Sequence, residues 1–479
     1  MLFPTFDFGV FFVVVFLVSW MLRDRLDLHK AFLLGVSYFF YGYWDWRFLG
    51  LLFVSTTINY VAGVLLTSLT LDRHRKWVVG VSVALNLAIL GFFKYYGFFI
   101  ISLANLLTSI GLERDLPLLD VILPIGISFF TFQGISYVID VYRGDVQPVR
   151  RPIDLYLYIS FFPQLVAGPI VRAAHFLPQL EVRPVLNRAM LTFGFGLILL
   201  GLFKKMIIAS YLATEIVDDV FAVPSAYSSL DLFVAAHAFV VQVYCDFSGY
   251  SDIAIGVAAL LGYRFKKNFD RPLSATTLQE LWQRWHISLT SWLRDYLYRP
   301  LKGGKRGQGR MYRNLILTMT IAGLWHGAAW TFVIWGALQG IILVIERVLK
   351  GAIRSLERSG HAVLTSFIPS HPAVGWFITI NLFAITGVFF RAPDMATVHD
   401  YYAGLLQFSF ETEKFTPFIA LLIGGVIAAQ FVRTETLVHL DRRVQALRPV
   451  TLGLLIGTGL LAMEMLGPRG VAPFIYFQF

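Results

Sequence analysis

Apolar stretches separated by short charged ones recur along the whole chain, and their lengths predict helices. Thirteen segments read as apolar spans: 6–22, 31–44, 48–68, 77–93, 95–110, 121–140, 153–170, 189–209, 230–262, 315–345, 374–390, 416–432 and 450–466. A crossing helix needs about 20 apolar residues at about 1.5 Å each. By that measure 31–44 is short, while 230–262 and 315–345 are too long for one untilted crossing, so broken, re-entrant or strongly tilted helices are expected. No long hydrophilic block interrupts the pattern, which predicts a single membrane-embedded domain over 1–479.

One segment has a different rhythm. In SATTLQELWQRWHISLTSWLRDYLYRPLKGGKRGQGRMYR (274–313), Thr277 and Glu280 fit a capping box, so a helix is predicted to start there. Trp282, His286, Leu289, Leu293 and Leu297 then recur every four or three residues, the apolar stripe of an amphipathic helix lying on the cytosolic membrane surface.

Composition sharpens this into an all-α polytopic membrane protein. The 479 residues are 57% hydrophobic and 15% charged, against roughly 45–50% and 25% in soluble domains. The opening MLFPTFDFGVFFVVVFLVSWML lacks a basic start and an obvious small-residue cleavage site, and reads as a first span rather than a leader. Cys245 is the one cysteine, which excludes an intramolecular disulfide and a multi-cysteine metal site.

The net charge of +10 raises the question of nucleic acid, but the basic residues cluster in short loops at 23–30, 72–76, 264–271, 294–313, 347–358 and 433–448. The positive-inside rule places these loops in the cytosol and both termini outside. The 294–313 loop carries Arg294, Arg299, Lys302, Lys305, Arg306, Arg310 and Arg313 against the single acid Asp295. It reads either as an anchor on anionic lipid or, through Lys302, Lys305, Arg306 and Arg310, as a docking site for a phosphorylated donor such as coenzyme A. GGKRGQGR does not match a P-loop, so an ATPase is not supported.

Polar groups inside apolar segments are the candidates for chemistry. His326 is the single ionisable residue in the 31 residues from Leu315 to Ile345. A metal would need distant partners, whereas a general base needs one neutral imidazole; a structural histidine and a proton relay are the alternatives. Gly323 and Gly327 flank it at a spacing that allows helices to approach closely. Asp246 and Asp252, in VYCDFSGYSDIAIG, are expected to be paired or to line a polar cavity. Cys245, beside an acid that raises a thiol pKa, reads as packing. His286 is either a hydrogen-bonded interfacial histidine or a functional one, and the prolines at 124, 163 and 169 predict irregular helices lining a cavity or packed on neighbours.

Together, LPIGISFFTFQGISYVIDVYRG (123–144), FFPQLVAGPIVR (161–172), QVYCDFSGYSDIAIG (242–256), NFDRPLSATTLQELWQRWHISLTSWLRDYLYRPL (268–301), LWHGAAW (324–330) and the ending PFIYFQF resemble the membrane-bound O-acyltransferase family, in its branch that O-acetylates bacterial exopolysaccharide. The core motifs fall within about 120–345. The resemblance implies 11–13 transmembrane or re-entrant helices ringed around a thinned central tunnel, with His326 as a catalytic residue and His286 as the second functional histidine. Threonine stands at position 290 where the family pattern has serine.

The expected activity is transfer of acetyl from a cytosolic donor, acetyl-CoA, across the bacterial inner membrane. A periplasmic acetyltransferase partner would then modify a secreted polysaccharide, alginate being the first choice. Cellulose, peptidoglycan or D-alanylation of teichoic acid are alternative acceptors, and a transporter with His326 as proton relay is the non-enzymatic alternative. No metal, prosthetic group or nucleic acid is expected, and membrane lipid is the remaining contact.

Overall fold

The computed structural model describes all residues except 2, 113, 115, 167, 303–306, 359–370 and 467–479. Every regular element among the described residues is helical. Six helices there are long and apolar enough to cross a membrane: Trp46–Ser68, Asp72–Ser109, Arg188–Ala222, Ser229–Leu260, Trp330–Ile353 and Pro372–Arg391. Shorter apolar helices include Phe6–Leu22 and Pro449–Met465. The chain is a multi-pass membrane protein.

Several predicted segments merge or break. The segments 77–93 and 95–110 form one run, Asp72–Ser109, because a π-helical turn at Gly91–Tyr95 continues the helix instead of ending it. The 230–262 segment is not broken: Ser229–Leu260 is a 32-residue helix, about 48 Å long by rise per residue. It contains no proline and is mostly buried in protein, so bilayer thickness does not limit its length. The 153–170 segment is not a span. It divides into helices Pro152–Ser160 and Phe162–Leu165 around Phe161. Side chains satisfy part of the irregular backbone there, with Tyr158 Oη donating to the Val171 carbonyl at 2.8 Å and Gln164 Nε2 to the Tyr158 carbonyl.

Contacts divide the chain into two units, Met1–Ile198 with Tyr250–Lys266, and Leu199–Gly249 with Lys267–Phe479. In the first, an amide pair joins helices Leu49–Ser68 and Asp72–Leu90. Asn59 and Asn86 exchange side-chain hydrogen bonds at 3.2 and 3.1 Å, and a Cβ on Gly134 of helix Ile127–Arg143 would lie 2.2 Å from Asn59 Nδ2. The small residue and the polar glue together bind helices that lipid alone would not drive together.

The second unit holds both candidate histidines, His286 and His326. The 315–345 segment breaks as expected, and the break falls directly after His326. Helix Gln308–His326, the histidine helix, ends where Gly327 turns extended (φ −154°, ψ 149°), and the return helix Trp330–Arg358 follows.

Candidate active site

Glycine sets the spacing of the two helices that carry the site. A Cβ on Gly323 would lie 2.2 Å from the Phe332 carbonyl oxygen, one on Gly336 2.3 Å from the Met319 carbonyl, and one on Gly340 2.7 Å from Ile316 Cα. Positions rising along one helix meet positions falling along the other, so the pair is antiparallel and packed backbone to backbone. This bears out the close approach expected at Gly323. Gly327 instead makes room for the Phe332 ring, 2.1 Å from where its Cβ would be.

His326 is buried at the end of this hairpin among aromatic rings. Trp335 and Phe390 meet it edge-on, with centroids 5.4 and 5.1 Å away, and Trp325 lies 4.9 Å away. Phe390 also packs on Trp335 and Phe332, each at 4.9 Å, closing the region behind the imidazole.

A cavity of about 220 Å³ reaches His326. On the histidine helix it is lined by Leu315, Thr318, Met319, Ala322 and His326, one face that extends about 16 Å along the axis. The return helix contributes Trp335, Leu343 and Arg347. Trp335 packs against His326, whereas Arg347 Nη1 lies 3.3 Å from the Met311 sulfur, near the start of the histidine helix. The cavity therefore runs from a basic end to a histidine end, and exposed Gln279, Gln283 and Arg294 on its lining bring it to the surface.

Two cations line this cavity among the described residues, Arg294 of the basic loop and Arg347. Lys305 and Arg306 lie outside the described residues, as does the Lys302 side chain. Arg310 is exposed and is not among the lining residues.

His286 is not on a continuous amphipathic helix. The helix starts as predicted, with Thr277 Oγ1 accepting from Glu280 N at 3.1 Å and Glu280 Oε2 accepting from Thr276 N at 2.8 Å. It ends at Arg284, and His286 adopts a left-handed backbone (φ 43°, ψ 55°) before the next helix, Ile287–Trp292. Asn268 causes the break by supplying hydrogen bonds that a continuous helix would have made itself. Its carbonyl accepts from Ile287 N at 2.8 Å, and its Oδ1 accepts from Ser288 N at 3.1 Å and Ser288 Oγ at 2.9 Å. Such a partner, distant in sequence, is invisible to helical periodicity.

The same Asn268 Oδ1 lies 3.2 Å from His286 Nδ1, an arrangement that puts the proton on Nδ1. Nε2 is buried with no hydrogen-bond partner among the described residues. Burial pushes this imidazole down to about 3, so it is neutral. Phe247 meets it edge-on at 4.5 Å and Trp325 stands 6.1 Å away. The two histidines thus flank one tryptophan, and of the two only His326 is among the residues lining the cavity.

Asp246 is paired, as expected of a carboxylate in an apolar helix. Lys205 Nζ lies 2.6 Å from its Oδ1, both side chains are almost fully buried, and Lys205 sits on the π-helical turn Phe203–Ala209. Asp252 is on the same helix but belongs to the first unit. Neither acid lines the His326 cavity, and Cys245 is fully buried beside Asp246. Among the described residues no group of three or more His, Cys, Asp or Glu is placed to hold a metal ion.

A histidine at one end of an aromatic-walled cavity suits acyl transfer. Comparison with known proteins agrees. Residues 149–391, just over half of the chain, match the membrane-bound O-acyltransferase family. The probable alginate O-acetylase AlgI of Pseudomonas putida is 39% identical over 411 residues, covering 85% of this chain and 81% of its own. The peptidoglycan O-acetyltransferase of Helicobacter pylori is 34% identical, covering 79% and 73%. The teichoic acid D-alanyltransferase of Bacillus subtilis is 27% identical, over 46% and 58%. The chain belongs to the membrane-bound O-acyltransferase family, and its activity is O-acyl transfer.

Proposed function

We propose that the protein moves acetyl from a cytosolic thioester, acetyl-CoA, to an acceptor hydroxyl on the far side of the inner membrane, for O-acetylation of a secreted polysaccharide, alginate. The observation that carries this reading is the cavity joining Arg294 and Arg347 to His326. Its length supports a coenzyme A thioester. The arm between phosphorus and sulfur has roughly thirteen bonds, about 16 Å when extended at about 1.2 Å per bond. The lining face of the histidine helix from Leu315 to His326 has about the same length, so an arm laid along it with its phosphate toward Arg347 brings the thioester to the imidazole.

His326 then acts as general base. One ring nitrogen takes the proton of the acceptor hydroxyl while the hydroxyl oxygen bonds to the thioester carbonyl carbon. The tetrahedral intermediate collapses with cleavage of the carbon–sulfur bond, and the departing thiolate takes up the proton. A positioned base of this kind contributes about 10²- to 10⁴-fold. His286, held by Asn268, packs against Trp325, which in turn meets His326, and so positions the base through that ring. A periplasmic acetyltransferase that receives the acetyl group, and outward-facing termini, complete the proposal.

The AlgI relatives support alginate as the polymer. The peptidoglycan O-acetyltransferase relative favours the same chemistry on peptidoglycan as the second reading. The test is acetyl content of each polymer in cells carrying the wild-type chain or His326→Ala at matched membrane abundance. Loss of acetyl from one polymer identifies the substrate, and full acetylation by His326→Ala refutes the mechanism.

A further inference from the structure

The His326 cavity contains a hydrogen-bond donor that the protein leaves unused. Trp282 lines it, and its indole Nε1 is buried with no hydrogen-bond partner among the described residues. An indole N–H can only donate, and buried tryptophans usually satisfy it because the desolvated group is costly. Acceptors are close at hand, since Gln279, Gln283 and Thr290 line the same cavity, yet none meets it.

The ring is not free to seek another partner. It is wedged edge-on between Trp335, at 5.8 Å, and Phe383, at 6.0 Å, on a short helix whose start is fixed by the Thr277–Glu280 cap. Trp335 packs on both Trp282 and His326.

We propose that Trp282 Nε1–H is a donor-binding group that hydrogen-bonds an amide carbonyl of the phosphopantetheine arm. This rests on the thioester reading above. With the thioester at His326, the acceptor that comes opposite the indole is an amide oxygen farther along the arm. The bond fixes how far the arm enters, and so places the thioester at the imidazole. Trp282 is thus a determinant of donor class: it favours carriers whose arm bears amides over simple thioesters.

The test is binding by the full-length chain in nanodiscs, wild type against Trp282→Phe, with acetyl-CoA, CoA and an acetylated phosphopantetheinyl carrier protein as probes. Replacement of Trp282 by benzothienylalanine, which keeps the bicyclic shape and removes the N–H, covers the case in which phenylalanine disturbs folding. The expected result is a rise in Kd of about 5- to 10-fold, one net hydrogen bond, equal for acetyl-CoA and CoA. A loss confined to the carrier protein still supports the arm contact and names the carrier as its source.

A loss for acetyl-CoA but not CoA would overturn the proposal by placing the bond on the acetyl carbonyl. Equal binding by wild type and both variants would overturn it by leaving the N–H to a neighbouring ring face. A wild-type chain that binds none of the probes would instead refute the donor reading, so the two failures are distinguishable.

Discussion

Gly336→Ala tests whether the site depends on the backbone contact between the histidine and return helices. The new methyl carbon would lie 2.3 Å from the Met319 carbonyl oxygen and 3.0 Å from Gly323 Cα, where ordinary contact begins near 3.4 Å. Both neighbours are backbone, so the helices must part by about 1 Å. That displacement carries Trp335, which adjoins Gly336 in sequence, away from His326. A misplacement of about 1 Å costs on the order of 10²-fold in rate. Stability should change far less, because overpacking of about 1–3 kcal/mol is partly offset by a helix propensity gain of about 1 kcal/mol.

Gly351→Ala is the control. It lies on the same return helix, but nothing is within 4 Å of its added Cβ, so activity should be unchanged. The assay is polymer acetylation at matched membrane abundance, with thermal stability of the purified chain alongside. Wild-type acetylation by Gly336→Ala would refute the reasoning.

Phe390→Ala removes the ring behind His326, and relative use of propionyl over acetyl donor should rise by about 10-fold or more in a competition assay, since one methylene in a tight apolar pocket is worth about 10- to 200-fold. Lys205→Met alone should destabilise the fold by about 3–5 kcal/mol by leaving Asp246 buried without its cation, and adding Asp246→Leu should recover most of that in thermal unfolding. Burial holds His286 near 3, against about 6.5 for an exposed imidazole, so the unfolded chain binds the extra proton between those values. Stability from neutral His286 is therefore complete above about pH 6.5 and declines as pH falls toward 3. His286→Gln should show a shallower fall in apparent Tm from pH 7 to 4.

Local patterns along the chain were enough for the membrane class, the capping box at Thr277 and the tight spacing at Gly323, because each depends on neighbours within a helical turn or two, whereas segment length alone did not tell the unbroken 230–262 from the broken 315–345. The same patterns carried the motifs that place the chain in its family. Three other features were decided by contacts between distant residues. Asn268 takes over the hydrogen bonds of the backbone at 287–288 and turns His286 out of the helical stripe that periodicity assigns it. Lys205 neutralises Asp246 from 41 residues away. Arg347 joins Arg294 at the cavity from a helix more than 50 residues farther along the chain, since helix packing, not charge density along the chain, determines which side chains face an enclosed space.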